Sequence, residues 1–372
     1  MLDIHRVVIL GAGFAGVRVA HELNKAHLAH MSITVIDKSP SHLYTPNLYE
    51  LAAAGNNQKK QQVLDRVTKL PLRRIFAGTK VASVQGEVVR IDAKHKKIVL
   101  NDKREVAYDT LVVALGSEAN HFGIPGLTEN AITLKSGKDA KHIRDNVTRM
   151  LGGKKQPFQI VIGGGGPAGV ELAAALSDTI RKHPTGEGEI TLVEAGPTVL
   201  RPFPKKVKQH TQKILQKKGV TLRLDTRITG ANKKTISLNN NTVLPYNILV
   251  WTGGIQAPTL LQELPITLEK GRLLTGETLA CVSTENAGAI TNDIYALGDA
   301  ACFHDGEKIA PWTAHAAMEQ GKVVASNIIA KITGGKTKEY HIDQPPFVIP
   351  LGSRNGVAQV FGKTITGYPV II

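Results

Sequence analysis

Gly11, Gly13 and Gly16 stand in a G-x-G-x-x-G spacing inside "RVVILGAGFAGVRVAHEL", and Gly164, Gly166 and Gly169 repeat it inside "QIVIGGGGPAGVELAAAL". In both, a β-branched apolar run leads into the glycines and an Ala-rich helical pattern leads out. The chemistry this spacing suits is the holding of a pyrophosphate. The first glycine permits a tight turn, the second lets backbone approach phosphate oxygens, and the third lets helix pack on strand. The helix N-terminus then aims free N–H groups at the negative charge.

A tight turn alone would also use these glycines, but each repeat adds an acid at the distance a dinucleotide site needs. Asp37 ends the strand "SITVID" and Glu194 ends "ITLVE", each placed to accept an adenosine ribose hydroxyl. An acid at Glu194 repels a 2′-phosphate, so NADH is expected there rather than NADPH. A third segment, "TNDIYALGDAACF", brings a strand into Gly298 and Asp299. That pair suits backbone packed against a flavin nucleotide, with the acid on a ribityl chain or a bridging water; read alone, it is equally an ordinary strand-end turn.

The elements that must position these residues belong to a turn-rich α/β protein. With 372 residues the chain suits two domains and an appendage, and 42% apolar residues with 36 glycines describe a folded protein, not a disordered one. Forty-six Lys and Arg against 31 Asp and Glu leave a formal charge of +15, which favours anionic surfaces. The basic residues fall in short clusters such as "PKKVKQ" without interleaved aromatics, so nucleic acid is not expected and a membrane surface is the better partner. Cys281 and Cys302 form no CxxC pair; neither a disulfide, a dithiol centre nor a metal site is expected, and a cytoplasmic setting follows. No window reaches the roughly 18 apolar residues that span a bilayer, so contact with a membrane would be peripheral.

These motifs together resemble the flavoproteins with two dinucleotide-binding domains, and within them the type II NADH dehydrogenases, single-subunit NADH:quinone oxidoreductases that do not pump protons. "DKSPSHLYTPNLYELAAAG", "YDTLVVALGSEANHFGIPGL", "ITLVEAGPTVLRPFP" and "YNILVWTGGIQAP" are similar to that family's segments in order and spacing, from residue 5 to about 332. The resemblance implies FAD at Gly11, Gly13, Gly16, Asp37, Lys38, Gly298 and Asp299, and NADH at Gly164, Gly166, Gly169, Glu194 and Gly254. It implies hydride transfer from NADH to flavin N5 and then two electrons to a quinone, with Tyr44 and Pro46 near the flavin. Glu171 matches the family's "GVE" acid, which would hold nicotinamide or relay protons; a surface helix glutamate is the plainer reading. A homodimer is expected as well.

Two departures from the family pattern concern the acceptor. Where the family shows Ala-Gln-x-Ala-x-Gln-Gln, this chain has Ala314, His315, Ala317, Glu319 and Gln320, which are taken as the quinone-facing set. His315 precedes Glu319 by one helical turn, so His315, oriented by Glu319, is expected to deliver a proton; a structural histidine at the helix start is the alternative. The second departure is the C-terminus. The family continues into amphipathic helices, whereas this sequence stops at "TGYPVII", leaving the membrane anchor apparently absent. Other acceptors, a ferredoxin or a small molecule, and a redox-sensing flavoprotein with little turnover, are the rival functions.

The expected architecture is thus α/β: two doubly wound Rossmann-like domains, the NADH domain (121–258) inserted between two parts of the FAD domain (1–120 and 259–332). A C-terminal segment, 333–372, of short β-like runs lies near the acceptor site. "ALGSEANHFGIPG" and "WTGGIQAP" form the crossings, rich in the glycine and proline of hinges.

Overall fold

The computed structural model describes residues 4–153, 157–184, 187–284, 293–343 and 345–370. Thr291 and Asn292 of the Gly-Asp segment, and the final Ile371 and Ile372, lie outside the described residues. The chain divides into two compact units: Met1–His42, Leu70–Glu118 and Gln256–Gln344 form the first, and Leu43–Lys69, Ala119–Ile255 and Pro345–Ile372 the second. Relative to the boundaries expected from sequence, the crossings fall at 118/119 and 255/256, while 43–69 and 345–372 group with the second unit.

In the first unit a five-stranded parallel sheet runs in the order Ile294–Ala296, Thr110–Val113, His5–Leu10, Met31–Asp37, Val81–Gln85. Its central strand is buried on both faces, which is why "VVIL" is a continuous apolar run rather than an alternating one. Val7 and Ile9 pack towards the helices Phe14–Lys25 and Ala314–Thr333, whereas Val8 and Leu10 pack towards Ile98, Leu100 and Tyr108 on the other side. That other side is covered by an antiparallel sheet of Val88–Asp92, Lys97–Leu100 and Glu105–Ala107.

The second unit repeats the plan. Its parallel sheet runs Ile132–Thr133, Ile248–Trp251, Phe158–Gly163, Gly188–Val193, Val220–Arg223, with a three-stranded antiparallel sheet, Ile228–Ala231, Thr235–Leu238 and Val243–Pro245, in the same role. In both units the chain order reverses beside the first strand. That reversal opens a crevice at the carboxyl end of the strand, where the glycines lie.

The segment 43–69 joins this second core for a plain reason: Leu48, Leu51, Ala52, Ala53 and Ala54 are buried with the helix Pro167–Lys182, and Thr179 donates to the Ala53 carbonyl at 2.6 Å. Residues 347–366 form a three-stranded antiparallel sheet, Phe347–Pro350, Gly356–Val360 and Lys363–Thr366. Ile349, Leu351 and Val357 anchor it in the same core, and Asp178 accepts the Ser353 backbone N–H at 2.7 Å while pairing with Lys218. Among the described residues no helix is long and apolar enough to cross a membrane.

Candidate functional site

The first glycine turn has the geometry its spacing suggests. Gly11 sits at φ +99°, and a Cβ there would lie 2.3 Å from the Ala114 carbonyl oxygen. A Cβ on Gly16 would lie 1.9 Å from the Gly11 oxygen, so the helix Phe14–Lys25 rests directly on the turn. Around Gly13, by contrast, a Cβ would meet nothing within 4 Å. The open position is the one through which a phosphate would approach, and a dinucleotide fits this cradle.

The second turn reproduces these relations. Gly164 has φ +110° and closes on Gly253, a Cβ on Gly169 would lie 2.0 Å from the Gly164 oxygen, and Gly166 is open. Thr252 adds its hydroxyl to the Gly163 and Gly164 carbonyls, both at 3.1 Å. Beside Gly254 lies the Phe122 ring, 2.5 Å from where a Cβ would stand.

Each acid grips its own turn. Asp37 Oδ2 accepts the Ala12 N–H at 2.7 Å and Oδ1 the Ser39 N–H at 2.7 Å. Glu194 Oε2 accepts Gly165 N–H at 2.7 Å and Oε1 accepts Gly196 N–H at 2.8 Å. Each carboxylate oxygen keeps a lone pair for a ribose hydroxyl. Lys38, next to Asp37, is exposed.

The Gly-Asp segment forms a 3₁₀ turn, Gly298–Ala300, after the strand Ile294–Ala296. Gly298 takes φ +68°, with Ala15 and Ala317 each 3.5 Å from the position of a Cβ. Its N–H donates to Gln320 Oε1 at 2.7 Å, and Asp299 Oδ2 accepts the Ser117 hydroxyl at 2.6 Å. Gly298 therefore marks the meeting of three elements: the glycine-turn helix, the Gly-Asp turn and the helix Ala314–Thr333.

That last helix is capped by Thr313, whose hydroxyl accepts the Ala316 N–H at 3.2 Å. The expected acceptor set divides here. Ala314 and His315 stand part-exposed at the helix start, while Ala317 and Gln320 are buried, Gln320 at 2% exposure with its amide turned inward to Gly298. Glu319 does not orient His315. It pairs with Lys322 at 2.5 and 2.8 Å, and the partner of His315 Nε2 is Asp343 Oδ2 at 3.0 Å. One helical turn separates His315 from Glu319, but a lysine three residues on offers Glu319 the opposite charge, and the chain returning through 343 offers it to His315.

In the second unit, Glu171 lies in the first turns of the helix Pro167–Lys182, and loss of water pushes its carboxyl up to about 8. The Tyr49 phenol is raised above its usual range, chiefly by burial and then by Glu50 and Glu171. Tyr44 is exposed and Pro46 lies in the 3₁₀ turn Thr45–Asn47, which leads into the helix Leu48–Ala52 that carries Tyr49.

Several supporting residues were not legible as such in the sequence. His42 is buried, its Nδ1 is 2.8 Å from the Ala12 carbonyl, and its ring meets Phe14 edge-on at 5.0 Å. Ser117 and Thr252 are of the same kind. His42 and Thr252 hold backbone carbonyls of a turn and Ser117 the Asp299 carboxylate, each from a distant part of the chain, and a serine, threonine or histidine carries no local sign of that. Cys281 and Cys302 are both free and buried, and burial raises both thiols above the ordinary range.

Comparison with known proteins agrees with this geometry. Residues 5–321 match the family model described as pyridine nucleotide-disulphide oxidoreductase. The type II NADH:quinone oxidoreductase of Staphylococcus aureus is 31% identical over 384 aligned residues, which cover 98% of this chain and 92% of that one. Among solved structures, NDH2 from Plasmodium falciparum in complex with NADH superposes with a TM-score of 0.84 at 19% identity, covering 98% of this chain and 91% of that chain. The sulfide:quinone oxidoreductase of Aquifex aeolicus gives 0.81 at 16% identity, covering 99% and 88%. The two structures share the fold; the full-length relative carries the narrower kinship, and the chain belongs to the pyridine nucleotide-disulphide oxidoreductase family and, within it, to the type II NADH:quinone oxidoreductases.

Proposed function

We propose that this protein oxidises NADH and reduces a quinone through bound FAD. The observation that carries the reading is the doubled turn: two cradles of one geometry, each with its acid, in a chain related along its whole length to type II NADH:quinone oxidoreductases. The first-unit cradle, with Asp37, Gly298 and Asp299, suits FAD, because that unit adds the Gly-Asp turn and the capped helix beside it. The second, with Glu194, suits NADH. FAD, when bound, supplies the acceptance of a hydride from NADH and its onward delivery as two electrons.

The residues do the rest. The N-terminus of the helix Ala314–Thr333 presents backbone N–H groups beside the Gly-Asp turn, a fixed positive end that favours negative charge there. Gln320 keeps the Gly298 backbone in place. Glu171, protonated at neutral pH, holds a proton for an acceptor whose two-electron reduction consumes two. His315, steadied by Asp343, supplies a second exchangeable proton at the start of the helix.

The same proposal includes a peripheral seat on the cytoplasmic face of a membrane. Phe361 is 97% exposed at the turn between the last two strands of the C-terminal sheet, with Ile365 and Tyr368 also exposed nearby in the chain. The sheet packs on the helix Lys205–Lys217, "KKVKQHTQKILQK". Apolar groups beside a basic helix suit an anionic lipid surface. Two free, buried cysteines agree with a reducing compartment. The homodimer rests on the family resemblance.

Anaerobic titration tests the electron path. NADH should bleach the flavin band of the purified protein and a short-chain quinone should restore it within the turnover time. Bleaching without recovery would leave NADH oxidation standing and assign the electrons to another acceptor. Flotation with anionic vesicles, lost in Phe361→Ser, tests the membrane seat, and light scattering tests the dimer.

A further inference from the structure

Cys302 and His304 lie two residues apart on the strand Ala301–Asp305, so their side chains leave the same face. Glu269 reaches that face from the strand Leu268–Glu269, two places away in the same sheet. His304 Nε2 is 2.8 Å from Glu269 Oε2 and 3.7 Å from Cys302 Sγ, and all three atoms fall within 4.8 Å of one another. We propose that Glu269, Cys302 and His304 form a site for a borderline divalent transition metal, with zinc(II) the ion that fits and water in the fourth position.

The distances support a tetrahedral ion. Bonds of about 2.3 Å to sulfur and about 2.0–2.2 Å to nitrogen and oxygen separate ligand atoms by roughly 3.4–3.6 Å. The sulfur and imidazole are already near that separation. The carboxylate must draw back by about half an ångström to exchange its hydrogen bond for a metal bond, a movement its half-exposed side chain allows.

The ligand types decide the ion. A thiolate and an imidazole select against magnesium and calcium, which take oxygen cages, and in favour of zinc and its neighbours. Binding displaces the thiol proton to solvent, so a thiolate and a carboxylate balance the two positive charges. Two cations, Arg272 and Lys270, act on Cys302, and among the described residues Lys270 makes no ion pair with Glu269. Arg272 is buried, donates to the Ala301 carbonyl at 3.0 Å and lies over the Trp312 ring at 4.9 Å, and among the described residues it makes no ion pair with Glu269. The ion has a route in as well, since Cys302 is the buried floor and His304 and Glu269 form a part-exposed rim. Because the ligands come from two strands at different places in one sheet, a bound ion would clip that sheet together. The sequence gives no hint of this: one ligand lies over thirty positions from the other two.

Cobalt(II) titration of the FAD-loaded protein, followed in the near ultraviolet, reads the site directly. One equivalent should produce a thiolate-to-cobalt charge-transfer band, abolished by zinc(II), absent in Cys302→Ser and weakened at least tenfold in affinity in His304→Gln. Since His304 is part-exposed, its variant should keep wild-type flavin content, which guards against misfolding. Zinc should raise the melting temperature of the wild type and not of Glu269→Gln. No band at stoichiometric cobalt, or a band that persists in Cys302→Ser, would overturn the assignment.

Discussion

Glu194 accepts the N–H of Gly165 at 2.7 Å, and Asp37 holds Ala12 in the same way at the same distance. The held residue is in both cases the one between the first two glycines, and the acid's other oxygen takes the N–H two residues further on. The acid thus shapes the phosphate cradle as well as facing the ribose, which explains why strand end and turn recur as a unit. In Glu194→Gln the neutral amide must present an NH₂ to one of two N–H donors. Loss of a charge-assisted bond worth about 1.5–3 kcal/mol should raise the KM for NADH by tenfold or more, and the preference for NADH over NADPH should shrink. An unchanged ratio of kcat/KM between the two nucleotides would remove Glu194 from the discrimination.

The glycines separate into two kinds, and alanine should tell them apart. Gly166→Ala adds a methyl that touches no protein atom, at an N-cap already in extended conformation. It should retain FAD and its melting temperature but bind NADH at least tenfold more weakly. Gly169→Ala drives a methyl to 2.0 Å from a backbone oxygen, and should destabilise the second unit by about 2 kcal/mol or more through overpacking. Thermal melts and NADH titrations of both variants check this.

Glu171 sets a pH dependence whose sign follows from its raised carboxyl. The folded state holds this proton up to about 8, well above the unfolded value. The stability it contributes is complete below the unfolded pKa, declines between the two values and is gone above about 8, when charge is forced into a dry site. Glu171→Gln should therefore flatten the melting temperature between pH 6 and 9, a difference on the order of 1–3 kcal/mol. Quinone turnover in the wild type should fall above pH 8, and in the variant it should be about a hundredfold lower and indifferent to pH over that range. A wild-type pH profile retained by Glu171→Gln would assign the titration to another group.

Gln320 shows where sequence reading reaches its limit. The repeated turns, their acids and the parallel sheets are legible because each is a local pattern of spacing or periodicity. The direction of Gln320 is not, since it depends on the Gly298 N–H, 22 residues away. The grouping of 43–69 with the second core is likewise a matter of partners, although the apolar run "LYELAAA" does show that this segment must be buried somewhere. Gln320→Leu should test the inward role: a buried N–H left without an acceptor costs about 1–3 kcal/mol, and FAD should dissociate more readily from the variant. The ratio of flavin absorbance to protein absorbance after dialysis measures it.

His315 and Asp343 form a pair that the sequence places 28 residues apart and the structure brings to 3.0 Å. Because both groups are substantially exposed, the pair should add less than about 1 kcal/mol to stability, so its removal separates chemistry from folding. His315→Ala should keep FAD, the melting temperature and the rate of flavin bleaching by NADH, while quinone-dependent reoxidation slows by roughly tenfold to a hundredfold. Asp343→Asn, which keeps the imidazole but replaces the carboxylate that holds its Nε2, should slow reoxidation by a smaller factor than His315→Ala and leave flavin bleaching by NADH unchanged. Wild-type reoxidation in His315→Ala would sink proton delivery by this residue and leave Glu171 as the proton source to pursue.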